Sequence, residues 1–260
     1  QTCALPISFV HWPETMATYS DVDKILFSCD AFGGYGALPG AIFNDQCKDI
    51  EFYKQESLRY FANIVSKFSK PVLNAIEKLK DVDIEIIAPS HGLIWRENPG
   101  EIIELYKRWS EYSATGGEPG VTLLFGSMYG NTERMMNAVA QGVAEEGVPL
   151  KIFDVARTHS SYVLPALWTQ SGVIIGAPTY EVSLFPAMKH MLNEAAIKRI
   201  SNKKAAYFGS YGWSGGALKD VKSIVEPLKW DITETLEFQG APTDEEWNKA
   251  KELGSRFARS

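Results

Sequence analysis

The sequence predicts an α/β protein with a doubly wound parallel sheet in its C-terminal part. Three observations predict it. From residue 121 onward, short apolar runs alternate strictly with amphipathic helical runs. Such alternation implies right-handed crossovers, a parallel sheet and helices on both faces. The first of these strands, Val121-Thr-Leu-Leu-Phe125, runs through Gly126 into small and hydroxylated residues that open a helix. Before it, Ala114-Thr-Gly-Gly-Glu-Pro-Gly120 has the Gly and Pro density of a linker. The expected domains are therefore residues 1–116 and 117–260.

In the first part, residues 2–10 are strand-like and lead into Phe9-Val-His-Trp-Pro-Glu-Thr-Met16. A hairpin-like Tyr19-Ser-Asp-Val-Asp-Lys24 precedes a strand over 25–29, which closes on Asp30-Ala-Phe-Gly-Gly34. Residues 47–79 read as helical, with Pro71 starting a second helix or kinking the first. A short strand over 84–88 ends at Pro89-Ser-His-Gly92. The following helix sets Ile102, Leu105, Tyr106 and Trp109 on one face, at i, i+3, i+4 and i+7.

In the second part, strands are expected over 121–126, 149–153, 172–176 and 204–209, with a weak one over 232–238. Helices are expected over 131–146, 186–197, 215–227 and 243–258, with a loop and short helix before the third strand. Ligands of such sheets sit outside the carboxyl ends of the strands.

Composition narrows the function. The chain has 260 residues, enough for two domains with their own cores, and its 45% hydrophobic and 22% charged content is that of a globular protein. A formal charge of −6 with no long Lys/Arg block argues against nucleic acid as the partner. Cys3, Cys29 and Cys47 lack Cys-x-x-Cys spacing and suit a reducing cytosol, so a cytoplasmic location is expected. The uncharged run near 158–180 is interrupted by Pro165 and Thr169-Gln-Ser-Gly172, so no membrane span is expected, and no basic region marks a signal peptide. The chain starts at Gln in a strand-like run, and the expectation is that something upstream is missing.

Ser127, Met128, Tyr129, Gly130, Asn131 and Thr132 form the loop after the first strand of the second part. Gly126 and Gly130 free the backbone, and the helix amino terminus adds unpaired N–H donors that suit a phosphate. The loop is not a nucleoside-triphosphate loop, because no lysine follows the glycine, and it lacks Gly-x-Gly-x-x-Gly. A site for one terminal phosphate monoester remains, alongside the plainer reading of an ordinary strand–turn–helix. Two further loops fall at the same sheet edge. One contains Pro178, Thr179 and Tyr180, and the other Ser210, Tyr211, Gly212, Trp213 and Gly216. They supply π-faces and backbone polar groups of the kind a tricyclic flavin needs. Taken singly, Tyr180 or Trp213 fits equally an aromatic that caps the core. Together the three loops make residues 121–260 resemble a flavodoxin-type domain, and that resemblance implies FMN.

His11, Asp30 and His91 are the remaining candidates. Imidazole plus carboxylate is a normal ligand set for iron or zinc, although a lone strand-end histidine more often has only a structural role. Their order and company, His11-Trp-Pro-Glu-Thr-Met16, then Asp30-Ala-Phe-Gly33, then Ser90-His91-Gly92, resemble the flavodiiron proteins. Those carry a metallo-β-lactamase-like αββα domain fused to a flavodoxin-like domain. The resemblance implies that residues 1–116 are the C-terminal part of the first domain. It also implies two irons, with His11 and His91 each on one and Asp30 between them. Glu14 stands where the family usually has Asp, at a position that is not a ligand. The family's His-x-Glu-x-Asp run is absent, and three ligands cannot satisfy two irons that want about four to six donors each. Weak or absent diiron binding is therefore expected.

The resemblance implies reduction of O2 to water or of NO to N2O, with FMN passing electrons to the irons. It also implies a head-to-tail homodimer; no rubredoxin-like Cys-x-x-Cys pair occurs within these 260 residues, and a separate rubredoxin or a reduced deazaflavin is the family's usual donor. Two other readings stay open. One is an FMN electron-transfer protein with a non-catalytic first domain. The other is a metallo-β-lactamase-type hydrolase with a flavodoxin appendage, disfavoured because hydrolysis needs no flavin.

Overall fold

A computed structural model describes residues 2–38 and 40–260. Gln1, where the first domain is expected to begin, lies outside them. Two compact units are present, Gln1–Ser113 and Ala114–Ser260.

The first unit is built on four strands, β1 (Thr2–Pro6), β2 (Met16–Ser20), β3 (Ile25–Cys29) and β4 (Ile86–Pro89), in the order β1-β2-β3-β4. β1, β2 and β3 are antiparallel neighbours, and β4 lies parallel to β3. Leu26 and Ser28 are buried while Phe27 between them is half exposed, the period of a sheet with one covered face. The strand-like run over 2–10 stops at Pro6. Residues 7–15 instead form a loop, closed where Ile7 N–H donates to the Thr15 carbonyl and the Thr15 hydroxyl bonds Trp12. His11 therefore sits in a loop and not at a strand end.

The helical run resolves into α1 (Ile50–Tyr60) and α2 (Ser69–Leu79), separated by a wide turn over Phe61–Val65 and a tight one over Ser66–Phe68. The break precedes Pro71, which occupies the first turn of α2, where a missing N–H costs little. In α3 (Gly100–Thr115), Ile102, Tyr106 and Trp109 are buried and Leu105 is partly so. The rings of Phe61, Tyr106 and Trp109 meet at 5.2–5.6 Å between centroids.

The expected linker shrinks to two residues. α3 runs to Thr115 and β5 (Glu118–Phe125) begins at Glu118, leaving only Gly116 and Gly117 between them, at φ +81° and +108°. Those left-handed conformations are what the glycines provide.

The second unit continues with α4 (Asn131–Glu145), β6 (Leu150–Asp154), α5 (Ser160–Thr169) and β7 (Gln170–Gly176). A small hairpin follows, β8 (Thr179–Tyr180) and β9 (Ser183–Leu184), then α6 (Pro186–Ile197). β10 (Lys204–Tyr211), α7 (Ala217–Val225), β11 (Asp231–Gln239) and α8 (Asp244–Arg259) complete it. The large sheet has the order β11-β10-β7-β5-β6 and is parallel throughout. Counted from β5 as the first strand, this is the 2-1-3-4-5 order of doubly wound flavodoxin-like sheets, with the switch point between β5 and β7.

On one face Leu123, Ile174, Ala206 and Phe208 form a single core with Met135 and Val139 of α4 and Leu253 and Phe257 of α8. α4 and α8 approach closely through glycine: a Cβ on Gly142 would stand 2.0 Å from the Lys251 carbonyl oxygen, and one on Gly254 2.2 Å from that of Val139. The strand expected to be weak is a full edge strand, β11, whose Asp231, Thr233, Thr235 and Glu237 are exposed between partly buried Ile232, Glu234 and Leu236. α7 gives way at Val225 to a tight turn carrying Pro227. α8 starts at a capping box in which Thr243 and Glu246 satisfy each other's backbone N–H.

Candidate functional site

The carboxyl ends of β5, β7 and β10 carry the three loops, and each is held in a different way. After β5, Gly130 caps α4 at φ +85°, and its N–H donates to Ser127 Oγ at 3.0 Å. No side chain caps the α4 amino terminus, so its first-turn amides face outward at the positive end of the helix dipole. Gly126 serves a different purpose from the one expected. It is not among the positive-φ glycines, and a Cβ there would stand 2.6 Å from the Phe185 ring. Space, not conformation, requires it.

After β7, the Thr179 hydroxyl accepts from Ala217 N–H at 3.3 Å, and the buried Tyr207 hydroxyl donates to the Ala177 carbonyl at 2.9 Å. Burial pushes the Tyr207 phenol well above its ordinary pKa, so it stays a donor. After β10, the Gln239 side-chain amide donates to the Gly212 carbonyl at 2.7 Å and Gly240 N–H donates to that of Tyr211 at 2.9 Å. A hydroxyl contact between Thr132 and Ser210, 3.1 Å, joins the first loop to the third.

Between the loops lies a cavity of about 290 Å³. Met128, Tyr129 and Asn131 line it from the first loop, Pro178, Thr179 and Tyr180 from the second, and Ser210, Tyr211, Gly212 and Trp213 from the third. Ser127, Gly130, Thr132 and Gly216 do not line it. The first three sit in and just below the α4 amino terminus. Gly216 packs on the β8–β9 turn, where a Cβ would stand 2.2 Å from the Val182 carbonyl oxygen. Tyr129 is 88% and Trp213 86% exposed, so large rings stand in solvent at the rim. Glu181 and Ser214, which belong to the two predicted loops, also line the cavity, as do Val182 and Gly240, which lie outside them. Glu181-Val182 is not a turn signal, so nothing in the sequence announced the β8–β9 hairpin. Among the described residues no lining side chain is basic. An anionic group here would meet backbone amides and hydroxyls, and the neutral, aromatic remainder fits a planar ring system.

His11, Asp30 and His91 also come together. Asp30 follows β3 directly and His91 lies two residues beyond β4. His11 Nε2 stands 3.3 Å from one Asp30 oxygen and His91 Nε2 stands 3.3 Å from the other. Each carboxylate oxygen thus faces a different imidazole. Among the described residues no three His, Cys, Asp or Glu side chains converge on a single ion position. A cleft lined by His11, Tyr35, Tyr60 and His91 opens beside them, with the Tyr60 ring 5.8 Å from that of His91. Burial, and then the Asp30 charge, push the Tyr60 phenol well above its ordinary pKa. Three donors are fewer than a pair of irons requires, so the residues present do not fit a complete two-iron set.

Fold and loops together define a flavodoxin-type α/β unit preceded by a smaller unit with a mixed sheet. Residues 123–254 match the flavodoxin family and residues 2–92 the ODP family β-lactamase. The anaerobic nitric oxide reductase flavorubredoxin of Escherichia coli O1:K1 is 35% identical over 254 residues, covering 96% of this chain and 52% of that protein. The protein of the same name from Pectobacterium atrosepticum is also 35% identical, with 96% and 49% covered. The chain spans about half the length of these curated relatives. Rubredoxin oxygen:oxidoreductase from Desulfovibrio gigas superposes with a TM-score of 0.91 at 27% identity, covering 99% of this chain and 64% of that one. The flavodiiron protein of Giardia intestinalis superposes at 0.92 with 29% identity, covering 99% and 63%. The chain belongs to the flavodiiron proteins, with a β-lactamase-like part followed by a flavodoxin domain.

Proposed function

We propose that the cleft holds FMN and that the chain carries electrons within an O2- or NO-reducing flavodiiron oxidoreductase. One observation carries the reading: an aromatic-walled, cation-free cavity sits over an uncapped helix amino terminus at the switch point of the sheet. Ser127, Gly130, Asn131 and Thr132 would hold the phosphate through hydroxyls and amides. Tyr180 and Trp213 would flank the ring, while Met128, Tyr129, Pro178, Thr179, Ser210, Tyr211 and Gly212 would shape its bed and Gly216 would support it from behind, against the β8–β9 turn. FMN supplies one- and two-electron transfer when bound. The flanking rings would exclude water from its faces, and the fixed loop backbone would orient its polar edge. The test is a fluorescence titration of FMN with the flavin-free protein. Stoichiometric quenching is expected, and unchanged emission would remove the reading.

The names of the relatives favour either O2 or NO as substrate and rubredoxin, or another reduced carrier, as donor. Trp213 and Trp12, 86% and 60% exposed, suit a head-to-tail dimer in which each Trp213 faces the partner's first unit. Sedimentation showing monomers alone would remove the dimer. His11, Asp30 and His91 are the proposed iron ligands, but three donors do not complete the set, and no step through iron is derived. That shortfall favours a second reading, an FMN electron-transfer protein whose first unit is non-catalytic. Anaerobic mixing of the iron-loaded, reduced chain with O2 or NO separates the two: only the reductase consumes the gas faster than free FMN does.

A further inference from the structure

Thr179 pairs with Leu184 and Tyr180 with Ser183, so the β8–β9 loop is only Glu181-Val182. Both residues have left-handed backbones, φ +48° and +58°. A two-residue loop with both central residues at positive φ is normally built from Asn-Gly or another glycine pair. Glutamate adopts that conformation reluctantly, and a β-branched valine more so. The strained turn nevertheless forms a wall of the cavity, through Tyr180, Glu181 and Val182.

The amino end of α7 grips this hairpin at both of its ends. One Asp220 carboxylate oxygen accepts from Ser183 Oγ at 2.5 Å, from Leu184 N–H at 3.1 Å and from Lys189 Nζ at 3.1 Å. At the other end, Ala217 N–H donates to Thr179 Oγ1, and the Val182 carbonyl lies directly against Gly216. We propose that Asp220 is the positioning residue of the flavin cleft: it clamps the strained Glu181-Val182 turn to α7 and so sets Tyr180 against the ring. The inference rests on the FMN reading above. Asp220 touches no cavity atom and acts only through the hairpin. The Ser183, Leu184 and Lys189 bonds hold its carboxyl low, at about 2, so the clamp stays charged at neutral pH.

The experiment compares Asp220→Ala, Ser183→Ala and a triple variant, Asp220→Ala with Glu181→Asn and Val182→Gly, in the full chain. Two readouts are used, hydrogen exchange of the Leu184 amide without flavin and FMN affinity by fluorescence quenching. Asp220→Ala is expected to speed Leu184 exchange by about tenfold or more and to weaken FMN binding by about tenfold. Ser183→Ala, which keeps two of the three bonds, is expected to shift both in the same direction by about threefold. The Asn-Gly turn adopts the required shape unaided, so the triple variant is expected to recover FMN affinity to within about threefold of the parent. A general loss of folding would not be repaired in this way. Unchanged exchange in both single variants, or an Asn-Gly turn that fails to restore affinity in folded protein, overturns the proposal. If Asp220→Ala does not fold, Ser183→Ala decides by the same criteria. Failure of the parent chain to quench FMN overturns the flavin reading instead, and Leu184 exchange then decides the clamp alone.

Discussion

The hydroxyls of Thr132 and Ser210 lie 3.1 Å apart, joining the first turn of α4 to the end of β10 across 78 residues of sequence. Thr132 is 1% exposed, so its side of the contact is shielded from water. This contact fixes the spacing of two loops that a phosphate and a ring must occupy together. Thr132→Val keeps the shape and removes the bond. It should destabilise the chain by about 1 kcal/mol and weaken FMN binding by about fivefold, measured by urea unfolding and flavin titration.

Trp213 separates binding from folding, because its ring is almost wholly in solvent. Trp213→Ala should leave unfolding free energy within about 0.5 kcal/mol of the parent. Stacking is worth about 0.5–1.5 kcal/mol, so FMN affinity should fall by roughly three- to tenfold, with less quenching of the bound flavin. Loss of stability without loss of affinity would place the ring in the core and not at the flavin.

Lys203 ties the entry to β5 to the start of β7. Its Nζ donates to the carbonyls of Gly116, Trp168 and Gln170 at 2.5, 3.2 and 2.8 Å. Burial pulls its ammonium down from 10.5 to about 7, even though the three carbonyls favour the charged form. Between those two values the unfolded chain binds more protons than the folded one, so stability rises with pH from about 7 to 10.5. Lys203→Met should abolish that rise and, by leaving carbonyls unpaired, cost about 1–3 kcal/mol at neutral pH. Urea unfolding at several pH values in this window, parent against variant, reads both effects.

Iron content tests the His11–Asp30–His91 cluster. After anaerobic loading with Fe(II) and desalting, the chain should retain well under two irons, since one shared carboxylate and two imidazoles leave most of the coordination open. A value close to two would show that other groups complete the set.

Much of this architecture is legible in the sequence, for identifiable reasons. α6 begins at Pro186 because proline at the first helical position is self-announcing. The three cleft loops follow from strand–loop–helix alternation, which places them at one sheet edge. β2 is marked in the sequence only by the hairpin-like turn at Tyr19–Lys24, because Met16-Ala-Thr-Tyr-Ser20 is short and its hydrophobic alternation is shallow. Apolar residues continue past Pro6 and extend the strand pattern to His11, yet their backbone folds into a loop around Thr15. The β8–β9 hairpin, the Asp220 clamp and the Lys203 tie were beyond reach. Each depends on partners that only the folded chain brings together, and Glu-Val carries no turn preference.

The rim strand β11 presents exposed Asp231 and Glu237 along an otherwise open row of backbone groups, while Glu234 is paired with Arg256. A second chain adding its own β11 there would bring like charges into register at strand spacing, where they repel. Such repulsion opposes edge-to-edge pairing through the large sheet, and salt that screens carboxylates would weaken it.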